Sequence, residues 1–284
     1  MRTTALITGS TSGIGKATAL DLAQKGWKVI IHGRKKESCE QVVREITEKT
    51  GNTNLHFIVA DLSDIDSVKK MAETIRQDFP ELTVLINNAG TFSKTRILTK
   101  NGWEQTWMVN YLSRFFLTTL LLDLLKKNRP SRIIDVSGMY HSKGKIHFED
   151  ISLSQNYSLG SANNQSKLAN ILFTYKLARD LEGTGVVANT LHPGAVDTGS
   201  VLNSKEISAL EKLMYRIFRP FFKSPDQGAE TLVFLASAPE AATITGKYFV
   251  NQKPVKSSPK SYDTSLQEKL WVLSNEMVQS VSMV

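Results

Sequence analysis

The sequence predicts an α/β protein built on a single doubly wound parallel sheet of about seven strands, with helices on both faces. Three observations lead there. Short runs rich in Val and Ile alternate with stretches of helical period. A glycine-rich turn joins the first such run to the first helix. No linker, low-complexity tract or short repeat divides the 284 residues, so one domain spans 1–284. Strand–helix–strand repetition favours right-handed crossovers, and therefore a parallel sheet covered on both sides.

The strands are expected at 4–8, 28–32, 55–60, 82–87, 131–137, 186–191 and 247–250. Between the first two, 13–26 carries Ile14, Ala17, Leu20 and Ala23 along one side, as a helix packed on a sheet requires. The segment 202–223 breaks this rhythm, with Leu210, Leu213, Met214, Ile217, Phe218, Phe221 and Phe222 set among basic residues. It is expected to form a lid over an apolar substrate; a surface helix packed on the core and a membrane-grazing helix are the alternatives. Residues 264–284 form a C-terminal helical tail.

Composition excludes several classes. Hydrophobic residues make up 41% and charged residues 22%, ordinary for a soluble protein with a real core. A lone cysteine, Cys39, excludes an intrachain disulfide framework and fits a reducing compartment. The net charge of +8 suits a phosphate-bearing cofactor. No block of Lys and Arg interleaved with aromatics forms a nucleic-acid module, so nucleic acid is not expected. The chain opens Met1-Arg2-Thr3-Thr4 and runs straight into Ala5-Leu6-Ile7, with no run of 18 apolar residues anywhere. No signal peptide, membrane span or metal site is expected, and the location is read as cytoplasmic.

The first strand ends in Thr8-Gly9-Ser10-Thr11-Ser12-Gly13-Ile14-Gly15, and a helical pattern follows at once. Gly9 permits the tight turn, Gly13 lets the backbone approach a pyrophosphate, and Gly15 lets the helix pack closely. The helix N-terminus supplies free N–H groups and the positive end of its dipole. About twenty residues on, an NAD enzyme places a carboxylate against the ribose 2′-hydroxyl. Here the chain reads His32-Gly33-Arg34-Lys35-Lys36. A guanidinium there clamps a 2′-phosphate, so NADP(H) is the expected cofactor, with Arg34 the main contact and Lys35 beside it.

The spacing TGxxxGIG resembles the short-chain dehydrogenase/reductase family, a Rossmann-type fold, and further landmarks match it in order. Asp61-Leu62 resembles the adenine-contacting pair, and Asn87-Asn88-Ala89-Gly90 the motif that ends the fourth strand. Asn110 stands where the family keeps an asparagine that helps hold a proton-relay water. Pro193-Gly194 follows the sixth strand, with Val196 just beyond and Thr198 where the family contacts the nicotinamide amide. The runs 143–150, 166–170, 227–229 and 246–249 resemble retinol-dehydrogenase-like members. That branch implies a lipophilic alcohol or carbonyl as substrate. The family resemblance also implies a homodimer, paired through the helix that carries Lys167 and the long helix before it.

The family's reacting centre pairs a tyrosine, four residues before a lysine, with a serine on the fifth strand. Here Lys167 is present, Asn163 stands in the tyrosine position, and Gly138 stands in the serine position. An amide has no proton that titrates near neutrality, so Asn163 cannot act as general acid or base. Tyr140 and Tyr157 are nearby in sequence, with lining an apolar pocket as their commoner role. Four readings remain open. The protein transfers hydride to an acceptor that needs little acid help, such as an iminium or a conjugated system. It is a redox-neutral cyclase that uses NADP(H) as part of its pocket. It is a catalytically silent cofactor-binding member, or a retinol-dehydrogenase-like enzyme silenced by engineering. The first is ranked ahead of the second.

Overall fold

A computed structural model describes residues 3–197 and 208–282. Seven strands lie parallel: β1 (Thr4–Ile7), β2 (Lys28–Gly33), β3 (Leu55–Val59), β4 (Leu82–Asn87), β5 (Ser131–Val136), β6 (Val186–His192) and β7 (Tyr248–Val250). An eighth, β8 (Lys253–Val255), runs antiparallel to β7 at the edge. The sheet order is β3-β2-β1-β4-β5-β6-β7-β8. The chain thus leaves the centre at β1, builds outward to β3, and returns to β4 on the other side. That reversal places a crevice at the carboxyl ends of β1 and β4, where doubly wound sheets bind their ligands.

Helices cover both faces. On one side, α1 (Gly13–Gln24) and α2 (Lys36–Thr50) pack with a later helix, α8 (Pro225–Ser237), around Ile7, Leu22, Ile31, Val84 and Phe249. On the other lie α3 (Ile65–Asp78), α5 (Ser113–Lys127) and α6 (Leu159–Asp180), around Leu6, Leu85, Phe115, Leu172 and Phe173. Strands buried on both faces explain the near-continuous apolar runs in the sequence.

A short helix, α4 (Gln105–Trp107), leads through one π-helical turn, Met108–Leu112, into α5. The stretch Gln105–Lys127 is long and apolar enough to cross a membrane by length and composition, yet 67% of its apolar window is buried within the fold. Its apolar character therefore belongs to the core.

In the 202–223 segment, residues 202–207 lie outside the described part. The remainder forms α7 (Ala209–Phe218) and a 3-10 turn, Arg219–Phe221. The tail is helical, as expected: α9 (Thr264–Ser282) packs along α6. Trp271 stacks on Phe173 at 5.9 Å and meets Phe115 edge-on at 5.1 Å. Tyr111 and Ser274 share a buried hydroxyl hydrogen bond of 2.7 Å. The chain's own C-terminal helix therefore sits on the two helices through which a pair of chains was expected to join.

Candidate active site

The phosphate turn is shaped by close approaches. Gly9 has φ +64°, and a Cβ there would lie 2.8 Å from Ala89 Cα. A Cβ on Gly15 would lie 2.4 Å from the Gly9 carbonyl oxygen, so this glycine packs the helix against its own turn as well as against Asn88. Asn88 Nδ2 donates to the carbonyls of Thr8 and Gly9, at 2.9 and 3.1 Å. Thr8 Oγ1 accepts from the backbone N–H groups of Asn88 and Ala89. The turn after β1 and the loop after β4 are thus laced together. Ser12, the N-cap of α1, makes no capping hydrogen bond, which leaves the first N–H groups of the helix for an anion.

His32 is a functional residue that the sequence reading passed over on the way to Arg34. Its Nδ1 accepts from Gly9 N–H at 3.0 Å, and its backbone N–H donates to Ser10 Oγ at 2.9 Å. Nε2 lies 3.2 Å from the Ala60 carbonyl, which fixes the neutral tautomer with the proton there. Burial pushes the imidazole down to about 4, against the opposing pull of the Ala60 carbonyl and Asp61. Gly33 follows because a Cβ would strike Thr11 Cγ2 at 2.5 Å and Cys39 Sγ at 2.9 Å. Arg34 and Lys35 are exposed, and their side chains have no ion-pair or hydrogen-bond partner among the described residues.

Asp61 Oδ1 accepts from the backbone and hydroxyl of Ser63, and Leu62 is buried next to it. Leu62, Ala89 and Val109 line one small crevice together with Thr8 of the phosphate turn. Beyond β6, a Cβ on Gly228 of α8 would fall 2.7 Å from Val196 and 3.1 Å from Ile14. Gly228 thereby brings the Pro193–Val196 loop against the start of α1. Thr198 lies outside the described residues. These features fit a dinucleotide: a glycine cradle that any Cβ would fill, unoccupied helix N–H groups, and an unpartnered guanidinium at the ribose end.

At the reacting end, Asn110 sits on the π turn. Its Oδ1 accepts from Thr91 N–H at 2.7 Å, and its Nδ2 donates to the Thr91 carbonyl at 2.9 Å. A π turn inside a helix displaces one residue from the helical ladder and is frequent at functional sites. Gly138 has an extended backbone, φ 175°, and a Cβ there would meet Lys167 Cγ, Cδ and Cε at 3.8 Å. Ser137, by contrast, is buried and spends its hydroxyl on the Lys167 carbonyl. Gly138 is therefore the residue of β5's end that faces the lysine side chain.

Asn163 lies one turn before Lys167 on α6, and both are partly buried. The Asn163 side-chain amide makes no hydrogen bond among the described residues, and its backbone carbonyl accepts from Ser166 Oγ. Tyr140 is 50% exposed on the turn after β5, and the Tyr157 hydroxyl donates to the Ser93 carbonyl at 2.8 Å.

Beneath Lys167 lies a buried ion pair that the sequence did not announce. Arg114 Nη1 stands 3.7 Å from Asp135 Oδ1. The same guanidinium donates to the carbonyls of Val136 and Ala89, at 3.0 and 2.9 Å. Burial pushes Asp135 up to about 6 and Arg114 down to about 10, each opposed by its partner. Burial, then the Arg114 charge, pushes Lys167 down to about 7. His192, at the end of β6, is pushed down to about 4 by burial and then by the Lys167 charge.

A sequence profile of the short chain dehydrogenases matches residues 3–207. Human retinol dehydrogenase 14 is 40% identical over 97% of this chain and 86% of its own. This chain is a short-chain dehydrogenase/reductase. It belongs to the retinol-dehydrogenase-like branch of that oxidoreductase family, and human polyprenol dehydrogenase is 38% identical over 96% of it and 84% of the relative. Among solved structures, an uncharacterised Mycobacterium paratuberculosis protein superposes with a TM-score of 0.77 at 30% identity, covering 98% of this chain and 93% of that one. A Burkholderia cenocepacia short-chain dehydrogenase solved with NADP superposes at 0.68 and 27% identity, over 87% and 95% of the two chains. The family's fold binds nicotinamide cofactors.

Proposed function

We propose that this protein is an NADP(H)-dependent oxidoreductase that passes hydride to a bulky, lipophilic acceptor without the usual hydroxyl acid. One observation carries the reading: a fully formed cofactor cradle, with Arg34 free at its ribose end, surrounds a reacting position that lacks both hydroxyls. Glycine at 138 and an amide at 163 leave room beside Lys167 and no phenol to protonate an alkoxide. An iminium ion or a conjugated acceptor suits that geometry, because neither needs an alkoxide captured as it forms. The lipophilic substrate class rests on the retinol and polyprenol dehydrogenase relatives.

In this reading the 202–223 segment closes over the substrate, and the protein works as a single cytoplasmic domain. α7 exposes Leu213, Met214 and Ile217. Its C-terminal end is tied to the Pro193–Asp197 loop by Tyr215, whose hydroxyl donates to Asp197 at 2.7 Å, and by the Arg219–Asp197 ion pair. A redox-neutral cyclase is the second reading, and the same roominess beside Lys167 favours it. NADPH deuterated at the 4-position separates the two when incubated with cyclic imines, polyenes and enones. Deuterium in the product supports hydride transfer. Product formed equally well with NADP⁺ supports the cyclase and overturns hydride transfer.

A further inference from the structure

We propose that Lys167 is the group that exchanges the proton with substrate in this site, and that the buried Arg114 allows a lysine to take that part. The inference rests on the hydride-transfer reading and names its missing acid.

The geometry comes first. On α6, Asn163, Lys167, Asn170 and Thr174 recur at helical spacing along one face. With an amide at 163 and no side chain at 138, no hydroxyl from either position stands beside the lysine. Its Nζ has no hydrogen-bond or ion-pair partner among the described residues. The stem runs along Gly138, at the 3.8 Å that an added Cβ would experience. The amine is therefore held in the reacting cleft rather than drawn to solvent.

The charges around it come from every neighbouring element. Arg114 reaches across the end of β5 from α5, fixed by the Val136 and Ala89 carbonyls and paired with Asp135. Thr174 Oγ1 donates to Asp135 Oδ2 at 3.2 Å and so ties α6 to the same pair. His141 follows β5, with Nδ1 2.7 Å from the Gly138 carbonyl and Nε2 accepting from Ser258 N–H. His192 lies at the end of β6, and both imidazoles are held below their ordinary value chiefly by burial. Lys223 adds a further positive charge that acts on His192. The carboxylate nearest to Arg114 is Asp135, which burial pushes up to about 6. Burial of the lysine first, and the fixed guanidinium second, favour the neutral amine. The result, about 7, is where an acid–base group exchanges protons most effectively.

For a conjugated acceptor the balance is complete. A bound reduced nicotinamide would supply hydride to the β-carbon, with loss of two electrons, as the π pair moves to the α-carbon. The Lys167 ammonium gives its proton to that carbon and is left as a neutral amine, which water reprotonates.

The test begins without any substrate. Limited acetylation of the apoprotein with acetic anhydride from pH 5.5 to 10, read by peptide mass spectrometry, gives a titration midpoint for each lysine. Lys167 is expected near 7, against about 10 for an ordinary lysine in water. Arg114→Gln should raise the Lys167 midpoint by about one pH unit, and Arg114→Lys should restore the low value. A Lys167 midpoint among those of the exposed lysines overturns the proposal, whatever the enzyme turns over. If Arg114→Gln does not fold, the unaltered protein and Lys167→Arg still decide. Arginine keeps the charge but not the exchangeable proton. Deuterium transfer to a conjugated enone should fall about 10²- to 10⁴-fold in that variant, and its decline above pH 7 should disappear. Deuterium transfer that is equally fast in Lys167→Arg, or independent of pH from 6 to 9 in the unaltered protein, overturns the lysine's role and leaves hydride transfer standing.

Discussion

The hydroxyl of Ser137 donates to the backbone carbonyl of Lys167 at 2.7 Å. That single bond fixes the register between the end of β5 and α6. It removes Ser137 from the cleft and leaves the next residue, Gly138, as the one against the lysine side chain. Because Gly138 is extended and an added Cβ finds ordinary contacts, serine fits there without strain.

Gly138→Ser combined with Asn163→Tyr should therefore fold and gain carbonyl reductase activity. A restored general acid is worth about 10²- to 10⁴-fold, and the added hydroxyl acts with it rather than independently. Reduction of retinal by NADPH, followed by absorbance at fixed enzyme concentration, measures the gain. Unaltered protein that already reduces retinal as fast as the double variant would show that the centre has been misplaced.

The second prediction concerns the cofactor. Arg34 and Lys35 stand exposed and unpartnered beyond β2, so a 2′-phosphate can pair with them without displacing any ion pair. A hydrogen-bonded contact to a charged group contributes about 1.5–3 kcal/mol, so NADPH should bind about 10- to 100-fold more tightly than NADH. Arg34→Asp should reverse the order. Calorimetric titration of both cofactors decides it, and equal affinities in the unaltered protein would sink the assignment.

Seven strands were legible because each is a short Val/Ile-rich run bounded by turn residues. The eighth was not, since Lys253-Pro254-Val255 is three residues long, exposed, and has proline at its centre. Proline is tolerated there because the strand lies at the sheet edge. The glycines of the first turn were legible because the close approaches of a dinucleotide-type turn dictate their spacing. Arg114 and Asp135 were not: they stand on different elements, and each alone reads as a surface charge. His32 was overlooked because its task is to accept a hydrogen bond from the Gly9 N–H across the turn, which leaves no pattern in the sequence. The tail's period announced a helix but not the surface it would cover.

His32 gives a pH prediction. Its folded value lies near 4, below the ordinary imidazole, so the stability it contributes is present above about pH 6.5 and is lost as pH falls towards 4. His32→Leu leaves the Gly9 N–H without its acceptor and should cost about 1–3 kcal/mol at pH 7. Thermal unfolding from pH 4 to 7.5 should show the two proteins converging at the acid end. A gap that stays constant with pH would show that the imidazole's charge plays no part.

The last prediction concerns assembly. The resemblance pairs two chains through the helix that carries Lys167 and the long helix before it, which are α6 and α5. In this structure α9 lies there instead. Trp271 meets Phe173 and Phe115, and Lys176 Nζ stands 5.1 Å above the Trp271 ring. Arg179 reaches Gln267, and Tyr111 bonds to Ser274 in the buried interior. A second chain could pair in the family's manner only after α9 left, exposing the Tyr111, Phe115 and Phe173 surface to water at roughly 25 cal/mol per Å² of apolar area. The intact protein should therefore run as a single chain in light scattering at micromolar concentration. Deletion of 264–284 should either aggregate or pair through the uncovered helices. Trp271→Ala, a gentler change, should lower the melting temperature by several degrees without producing dimers. A stable dimer of the intact protein, with cross-links between α5 or α6 of the two chains, would show that α9 gives way to a partner.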